Sequence, residues 1–154
     1  MTKSNLEIKQ ALYKQCEVSV SNRFDTIQKH IAQIQESLTS ETKSTAGDKH
    51  ETGRAMLQLE REKAGQQLAE INKTKEVLSK VDVKTTSKKV RLGTVVFTSQ
   101  VNYFIAVSLG ELKVDDVVFF AISPGTPIGK LLLGKEIGDD VYFRGQAFRI
   151  LNII

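Results

Sequence analysis

The sequence has little or nothing of several residue types that mark particular protein classes. Of its 154 residues one is a cysteine and none is a tryptophan, and aromatic residues make up 6% of the chain. The single cysteine, Cys16, excludes an intramolecular disulfide and a cysteine-based zinc site. His30 and His50 lie far apart, and neither belongs to a metal-ligand motif.

Long apolar runs are also absent. No stretch approaches the roughly 20 apolar residues that would span a bilayer. The first residues lack the apolar core of a secretion signal. We therefore expect a cytoplasmic protein that is not bound to a membrane.

Proline and glycine are scarce in the first part of the chain. The first 123 residues contain no proline, and three of the ten glycines precede residue 90. The composition changes at residues 82–89, which are mostly polar. A polar run between two patterned segments indicates a linker. We predict two domains, residues 1–82 and residues 83–154.

The charge is close to balanced. The chain has 22 Lys+Arg and 18 Asp+Glu, which gives a formal net charge of +4. Dedicated nucleic-acid binders usually show a denser basic face. The total charge alone therefore does not indicate nucleic-acid binding.

Apolar residues of the first domain repeat at the spacing of a packed helix. Phe24, Ile27, Ile31, Ile34 and Leu38 are 3, 4, 3 and 4 residues apart. This is an a/d seam, the pattern by which one helix packs along another.

A second seam follows Asp48, with four apolar residues at seven-residue spacing: Leu57, Ala64, Ile71 and Leu78. Residues 39–47 between the seams are small and polar, which predicts a connecting loop. Helices with narrow apolar stripes need a partner, and a short connection makes them antiparallel neighbours. The pattern predicts an antiparallel coiled-coil hairpin. A plain bundle and a dimerising coiled coil are the alternatives.

The last third of the chain carries the β-branched and aromatic runs that are typical of strands. Strands are predicted at residues 90–97, 103–107, 117–122, 141–143 and 147–154. Thr126 and Pro127 have the pattern of an N-cap followed by proline at the first helical position. A short helix is therefore predicted over residues 128–133, ending at Gly134. Five strands and one helix make a small α+β domain.

Two acids, Asp48 and Glu51, lie one turn apart at the start of the second predicted helix. An acidic N-cap with glutamate three residues later is a form of capping box, and this explanation requires no function. A carboxylate pair at the end of two helices of ~45 Å can also supply oxygen ligands to Mg²⁺. Both interpretations stay open on the residues alone.

Two segments resemble the Gre-type transcript cleavage factors, which bind the secondary channel of RNA polymerase. Residues 47–51, Gly-Asp-Lys-His-Glu, are similar to the Gly-Asp-x-x-Glu tip of that family. Residues 122–135, Ile-Ser-Pro-Gly-Thr-Pro-Ile-Gly-Lys-Leu-Leu-Leu-Gly-Lys, resemble the most recognisable stretch of its C-terminal domain. Residues 148–153 look like the family's final strand. The resemblance covers nearly the whole chain.

The resemblance implies a fold and a mechanism. The fold is an antiparallel coiled-coil hairpin followed by an FKBP-like domain that docks near the mouth of the channel. The hairpin enters the channel, into which a backtracked polymerase extrudes the RNA 3′ end. There the tip acids, Asp48 and Glu51, would stabilise a second Mg²⁺ and stimulate cleavage of the RNA by the polymerase.

The same resemblance implies an accessory factor that is not itself an enzyme. It has no cofactor of its own, since the Mg²⁺ belongs to the polymerase active site. Its partners are RNA polymerase and the nascent RNA 3′ end, and we expect it to be a monomer. Lys43, Lys49 and Arg54 flank the acids and could contact RNA or polymerase, although they could equally form a solvated face.

The residues after the tip depart from the family. Residues 52–55 are Thr-Gly-Arg-Ala, where members usually have Asn-Ala-Glu-Tyr. This change affects the expectation of cleavage more than that of channel binding, so a Gre-like protein that inhibits or modulates polymerase without cleavage is the first alternative. An FKBP-like peptidyl-prolyl isomerase or chaperone is the second, and an acyl-condensing enzyme using Cys16 is the third.

Overall fold

The computed structural model describes the backbone of residues 3–43 and 48–154, and the side chains of residues 41–51 lie outside the described part. The chain forms two compact units. One comprises Val20–Lys75, and the other comprises Met1–Ser19 together with Glu76–Ile154. The predicted boundary after residue 82 rests on composition and stays a prediction.

The unit Val20–Lys75 is a helical hairpin. Helix α1 runs over Asn5–Lys43 and helix α2 over Asp48–Ser79. Between residues 21 and 40, the five side chains that are not exposed are those of the predicted seam, and Ile34 is 3% exposed. The seam prediction is therefore confirmed for α1.

The four predicted seam residues of α2 are all buried or half-buried. Ala64 is 1% exposed, and Leu57 and Ile71 are half-buried. Leu78, near the end of the helix, is 5% exposed, as the seam predicts. Thr74 is half-buried, whereas Lys75 is exposed. The Lys75 ammonium lies 3.9 Å from the centre of the Phe24 ring, which is cation–π distance.

Contacts across the hairpin show that its helices are antiparallel. Phe24, early in the unit, meets Lys75 at its end. Leu38, late in α1, accepts a hydrogen bond from Arg54, early in α2. The predicted loop began too early, because residues 39–43 continue α1. The Thr39 hydroxyl donates to the Gln35 carbonyl at 3.0 Å, which satisfies that polar group within the helix.

The other unit contains a six-stranded sheet in the order β3-β4-β2-β1-β6-β5. Its strands are β1 Val95–Thr98, β2 Asn102–Ile105, β3 Gly110–Val114, β4 Val117–Ile122, β5 Asp140–Phe143 and β6 Gln146–Ile153. The neighbours β2 and β4 are parallel, and the other pairs are antiparallel. A hairpin followed by this sheet confirms the predicted α+β class.

Strand β3 corrects the prediction of five strands. Its sequence, Gly-Glu-Leu-Lys-Val, is charged and mostly exposed, because the strand lies at the edge of the sheet. It reaches β4 through Asp115 and Asp116, both at positive φ, the geometry of a two-residue hairpin turn. Gln15 of α1 covers its outer edge: its amide donates to the Lys113 carbonyl at 2.8 Å and accepts from the Lys113 N–H at 3.5 Å.

One face of the sheet packs against helix α3, Pro127–Leu132. The buried cluster on this face comprises Val90, Val96, Ile105, Ile128, Leu132, Val141, Phe148 and Ile150. On the opposite face, the rings of Phe97 and Phe119 meet edge to face at 5.7 Å. The buried cluster includes Val90 from the segment before β1 and Ile128 from the start of α3.

Candidate functional site at the end of the hairpin

Four of the five predicted site residues lie where α1 ends and α2 begins. Lys43 is the last residue of α1, Asp48 is the first of α2, and Lys49 and Glu51 belong to the first turn of α2. Four residues of sequence separate the two helices. The side chains of these four site residues lie outside the described part of the chain, so their roles stay predictions.

The backbone of α2 nevertheless sets the spacing of the two acids. Asp48 and Glu51 occupy positions i and i+3 of one helix. Residues three apart in a helix are neighbours on one face. Mg²⁺ commonly accepts one or two carboxylates with water or phosphate completing its shell, so the metal-binding role of the two acids stays a prediction. Among the residues with described side chains, no group of three or more His, Cys, Asp or Glu could hold a metal ion.

Arg54, the fifth predicted site residue, is half-buried. Its Nη1 donates to the Leu38 carbonyl at 3.4 Å across the hairpin. The guanidinium is thus held one turn beyond Glu51, at the position where the Gre family usually carries an acid.

The segment that resembles the Gre C-terminal domain forms a capped helix. The Thr126 hydroxyl accepts from the Gly129 N–H at 3.1 Å and donates to the Ser123 carbonyl at 2.8 Å. Pro127 follows at the first helical position, as predicted. A Cβ on Gly129 would lie 2.3 Å from the Ser123 oxygen, so only glycine fits this approach.

The end of α3 is bound to the segment that precedes β1. The Gly134 N–H donates to the Val90 carbonyl at 2.8 Å, and the Val90 N–H donates to the Lys135 carbonyl at 2.9 Å. Gly134 has a φ of 80°, which suits glycine just beyond a helix end. These reciprocal bonds fix Val90 against the end of α3.

A buried lysine of this unit was not predicted from the sequence. Lys9 is 2% exposed, and its ammonium donates to the Thr85 carbonyl at 3.2 Å. Burial lowers its pKa, as does the charge of Arg91, while Asp82 opposes the shift. The sequence signal was present, because Lys9 lies three positions before Leu12 on the face that also buries Cys16.

Cys16 does not have the environment of a nucleophile. Its side chain is 0% exposed, and burial raises the pKa of its thiol to about 11. A thiol in that state is protonated at neutral pH, whereas acyl transfer needs the thiolate. The acyl-condensing alternative is not supported.

The isomerase alternative also finds no support in the described cavities. A cavity of about 640 Å³ is lined by Thr86, Ser87, Lys88, Glu136, Ile137 and Ile153. None of these six residues is aromatic. A shallower depression of about 420 Å³ includes Tyr142, but that side chain is 73% exposed and does not enclose the space. Ligand pockets usually bury most of the ligand against apolar and aromatic walls.

Comparisons with known proteins find matching chains among the solved structures. The chain is similar to the structure of the transcription factor Gfh1, with 18% sequence identity over 93% of each chain and a TM-score of 0.33. No family model matches the chain, and no curated protein matches it.

The length and apolar character of the two long helices bear on membrane insertion. Neither α1 nor α2, over the part of each that is described, contains a segment long and apolar enough to cross a bilayer.

Proposed function

We propose that this protein is a Gre-like transcription factor that binds RNA polymerase and inserts its hairpin into the secondary channel. One observation carries the proposal. The two helices form an antiparallel hairpin, and the second helix begins at Asp48, so that Asp48 and Glu51 share one turn at the hairpin's end. This is the arrangement that the sequence resemblance implied.

The chain's own residues would act by positioning the two acids at the end of the hairpin. The paired seams stiffen the hairpin, since Ile34 and Ala64 are almost fully buried within it. A stiff hairpin holds its end residues at a defined distance from its base. Asp48 would be the principal metal-directed acid, and Glu51 its supporting partner. A bound Mg²⁺ would supply charge stabilisation for phosphodiester hydrolysis at the polymerase active site.

A second function, modulation without cleavage, is favoured by Arg54. Its guanidinium lies one turn beyond Glu51 and is bound to the Leu38 carbonyl. The positive charge is therefore part of the hairpin and would weaken the hold of the acids on a cation. A protein of this kind would occupy the channel and slow the polymerase.

The test uses elongation complexes that have backtracked, incubated with the protein and Mg²⁺. We expect the protein to bind the complex and shorten the RNA from its 3′ end. Asp48→Ala should lower the cleavage rate at least about tenfold, a loss of ~1.4 kcal/mol in transition-state stabilisation, and leave binding unchanged. Glu60→Ala is the matched control, since it removes an exposed acid from the same helix.

Each outcome decides between the two functions. Binding that slows extension, with no shortening of the RNA, would select modulation. Cleavage that survives Asp48→Ala would refute the role of the acids. Failure of the protein to bind RNA polymerase would refute both functions.

A further inference from the structure

The excess positive charge of the chain lies in one short segment. Residues 80–91, here called the basic strap, contain five of the 22 Lys+Arg and one of the 18 Asp+Glu. The strap therefore carries a formal charge of +4, which is that of the whole chain, and 17 residues of each sign remain elsewhere. The net positive charge of the chain, although small, is therefore concentrated in the basic strap.

Most cations of the strap have no carboxylate partner. Lys80 pairs with Glu76 at 3.5 Å. Lys84, Lys88, Lys89 and Arg91 are exposed, and within the described part of the chain none of them forms an ion pair. These four positive charges are available to an external anion.

The carboxylate of the strap, that of Asp82, already accepts hydrogen bonds. Asp82 accepts from the Lys84 N–H at 2.9 Å and from the Thr85 hydroxyl at 2.6 Å. The Thr85 hydroxyl bond is the main cause that lowers the pKa of Asp82, which keeps it ionised. Its hydrogen bonds go to the strap itself, where they close a turn.

The strap has a fixed backbone although it has no helix or strand. The turn at Asp82 holds its first part, and the Lys9 ammonium holds the Thr85 carbonyl. Val90 is 2% exposed and is bonded in both directions to the end of α3. A surface that is ordered before binding loses less entropy when a partner arrives.

The exposed side chains of the strap define the kind of partner. They are lysine, arginine, threonine and Asp82, while its three valines are buried or half-buried. A protein interface usually centres on apolar or aromatic anchors, which the strap does not expose. Single-stranded nucleic acid is usually bound by stacking on aromatic side chains, and the strap has none.

Phosphates of a duplex fit this chemistry better. They are recognised by lysine and arginine together with hydroxyl groups. Thr86, Ser87 and Lys88 supply hydroxyl groups and a cation to the lining of the 640 Å³ cavity, to which Glu136 adds a carboxylate. We propose that the basic strap binds the phosphate backbone of duplex DNA, without sequence preference.

The test measures binding of the full chain to a short fluorescein-labelled DNA duplex by anisotropy, with no polymerase present. Four phosphate contacts predict that affinity falls about 150-fold between about 50 and about 200 mM salt. Replacing Lys84, Lys88, Lys89 and Arg91 together by Gln should remove most of the binding and most of its salt dependence.

A charge-matched variant separates position from total charge. Replacing Lys14, Lys29, Lys63 and Lys73 by Gln lowers the net charge equally, at exposed positions outside the strap. This control should keep the affinity within about threefold of the wild type. The proposal is overturned if the wild type fails to bind the duplex, if both variants lose binding equally, or if a single strand binds more tightly. Polymerase plays no part here, so this result and the cleavage result can fail separately.

Discussion

Lys9 shows how one side chain links the start of α1 to the segment before β1. Its ammonium is 2% exposed and has the Thr85 carbonyl as its hydrogen-bond acceptor. A buried ammonium with one neutral acceptor loses more hydration than it regains. The pKa of Lys9 is accordingly lowered from its value of 10.5.

The consequence for stability has a definite sign. Below the lowered pKa, Lys9 is charged in both folded and unfolded chains, and folding carries the full cost of its burial. As the pH rises from the lowered pKa toward 10.5, the folded state loses the proton first. The unfolded chain then binds more protons, so the free energy of unfolding rises with pH across this alkaline range.

Lys9→Met removes the charge and keeps most of the buried stem. We expect the free energy of unfolding at neutral pH to rise by on the order of 1 kcal/mol. The gain over wild type should shrink through the alkaline range, because the wild-type cost disappears there. Urea unfolding at several pH values measures both effects.

The control for this prediction is Lys14→Met, which changes an exposed lysine of the same helix. It should alter stability by less than about 0.5 kcal/mol. A Lys9→Met protein that is less stable than the wild type at neutral pH would contradict the account, since the ammonium would then contribute more than it costs.

At the scale of an element, the loop and helix from Ser123 to Leu132 depend on close backbone approach. The Thr126 hydroxyl bonds on both sides, to the Ser123 carbonyl and to the Gly129 N–H. The same compact turn brings the Ser123 oxygen to where a side chain on Gly129 would begin. The cap and the glycine therefore act together.

Gly129→Ala tests this arrangement. Its Cβ would lie 2.3 Å from the Ser123 oxygen, so the turn must open and the cap is disturbed. We expect a loss of about 2–4 kcal/mol in the free energy of unfolding, by strain and loss of the cap. Thermal or urea unfolding followed by circular dichroism measures it.

Gly125→Ala is the matched control, because nothing lies within 4 Å of a Cβ at Gly125. It should change stability by less than about 1 kcal/mol. Equal losses for the two variants would show that the close approach at Gly129 is not what the loop depends on.

The helices and strands that have a clear sequence pattern could be predicted largely from the sequence. The 3-4 spacing of the α1 seam matches burial position by position, because one partner helix fixes which face is covered. The run Val117–Ile122 became β4 with the predicted bounds. Thr126 and Pro127 formed the predicted cap.

The parts that were missed lack such a pattern. Strand β3 is an exposed edge strand whose order comes from pairing with β4, and Glu-Leu-Lys has no apolar run to show it. The start of α1 is an exception, because it has a local signal: the Ser4 hydroxyl caps the helix by accepting from the Glu7 N–H, and it donates to the Glu7 carboxylate. Burial of Lys9 could be predicted only in part: its spacing to Leu12 and Cys16 places it on the buried face of α1, whereas its acceptor, the Thr85 carbonyl, comes from tertiary packing.

At the scale of the whole molecule, the two compact units suit two different tasks. The hairpin Val20–Lys75 ends in a pair of acids held in one helical turn. The sheet unit carries the basic strap, with the net charge of the chain. In the proposed function the hairpin enters the polymerase, and the sheet unit stays outside it.

The central claim is that the end of the hairpin reaches the polymerase active centre. Cys16 is fully buried, so a thiol-reactive iron chelate can be attached selectively to one introduced cysteine. The test variant is Lys49→Cys, and the control is Lys130→Cys at an exposed position on α3. Radicals generated at residue 49 should cut polymerase segments beside the active centre and the RNA 3′ end. Those from residue 130 should cut only the outer surface of the enzyme. If both positions cut the same outer segments while the protein stays bound, the hairpin does not enter the channel and the account is wrong.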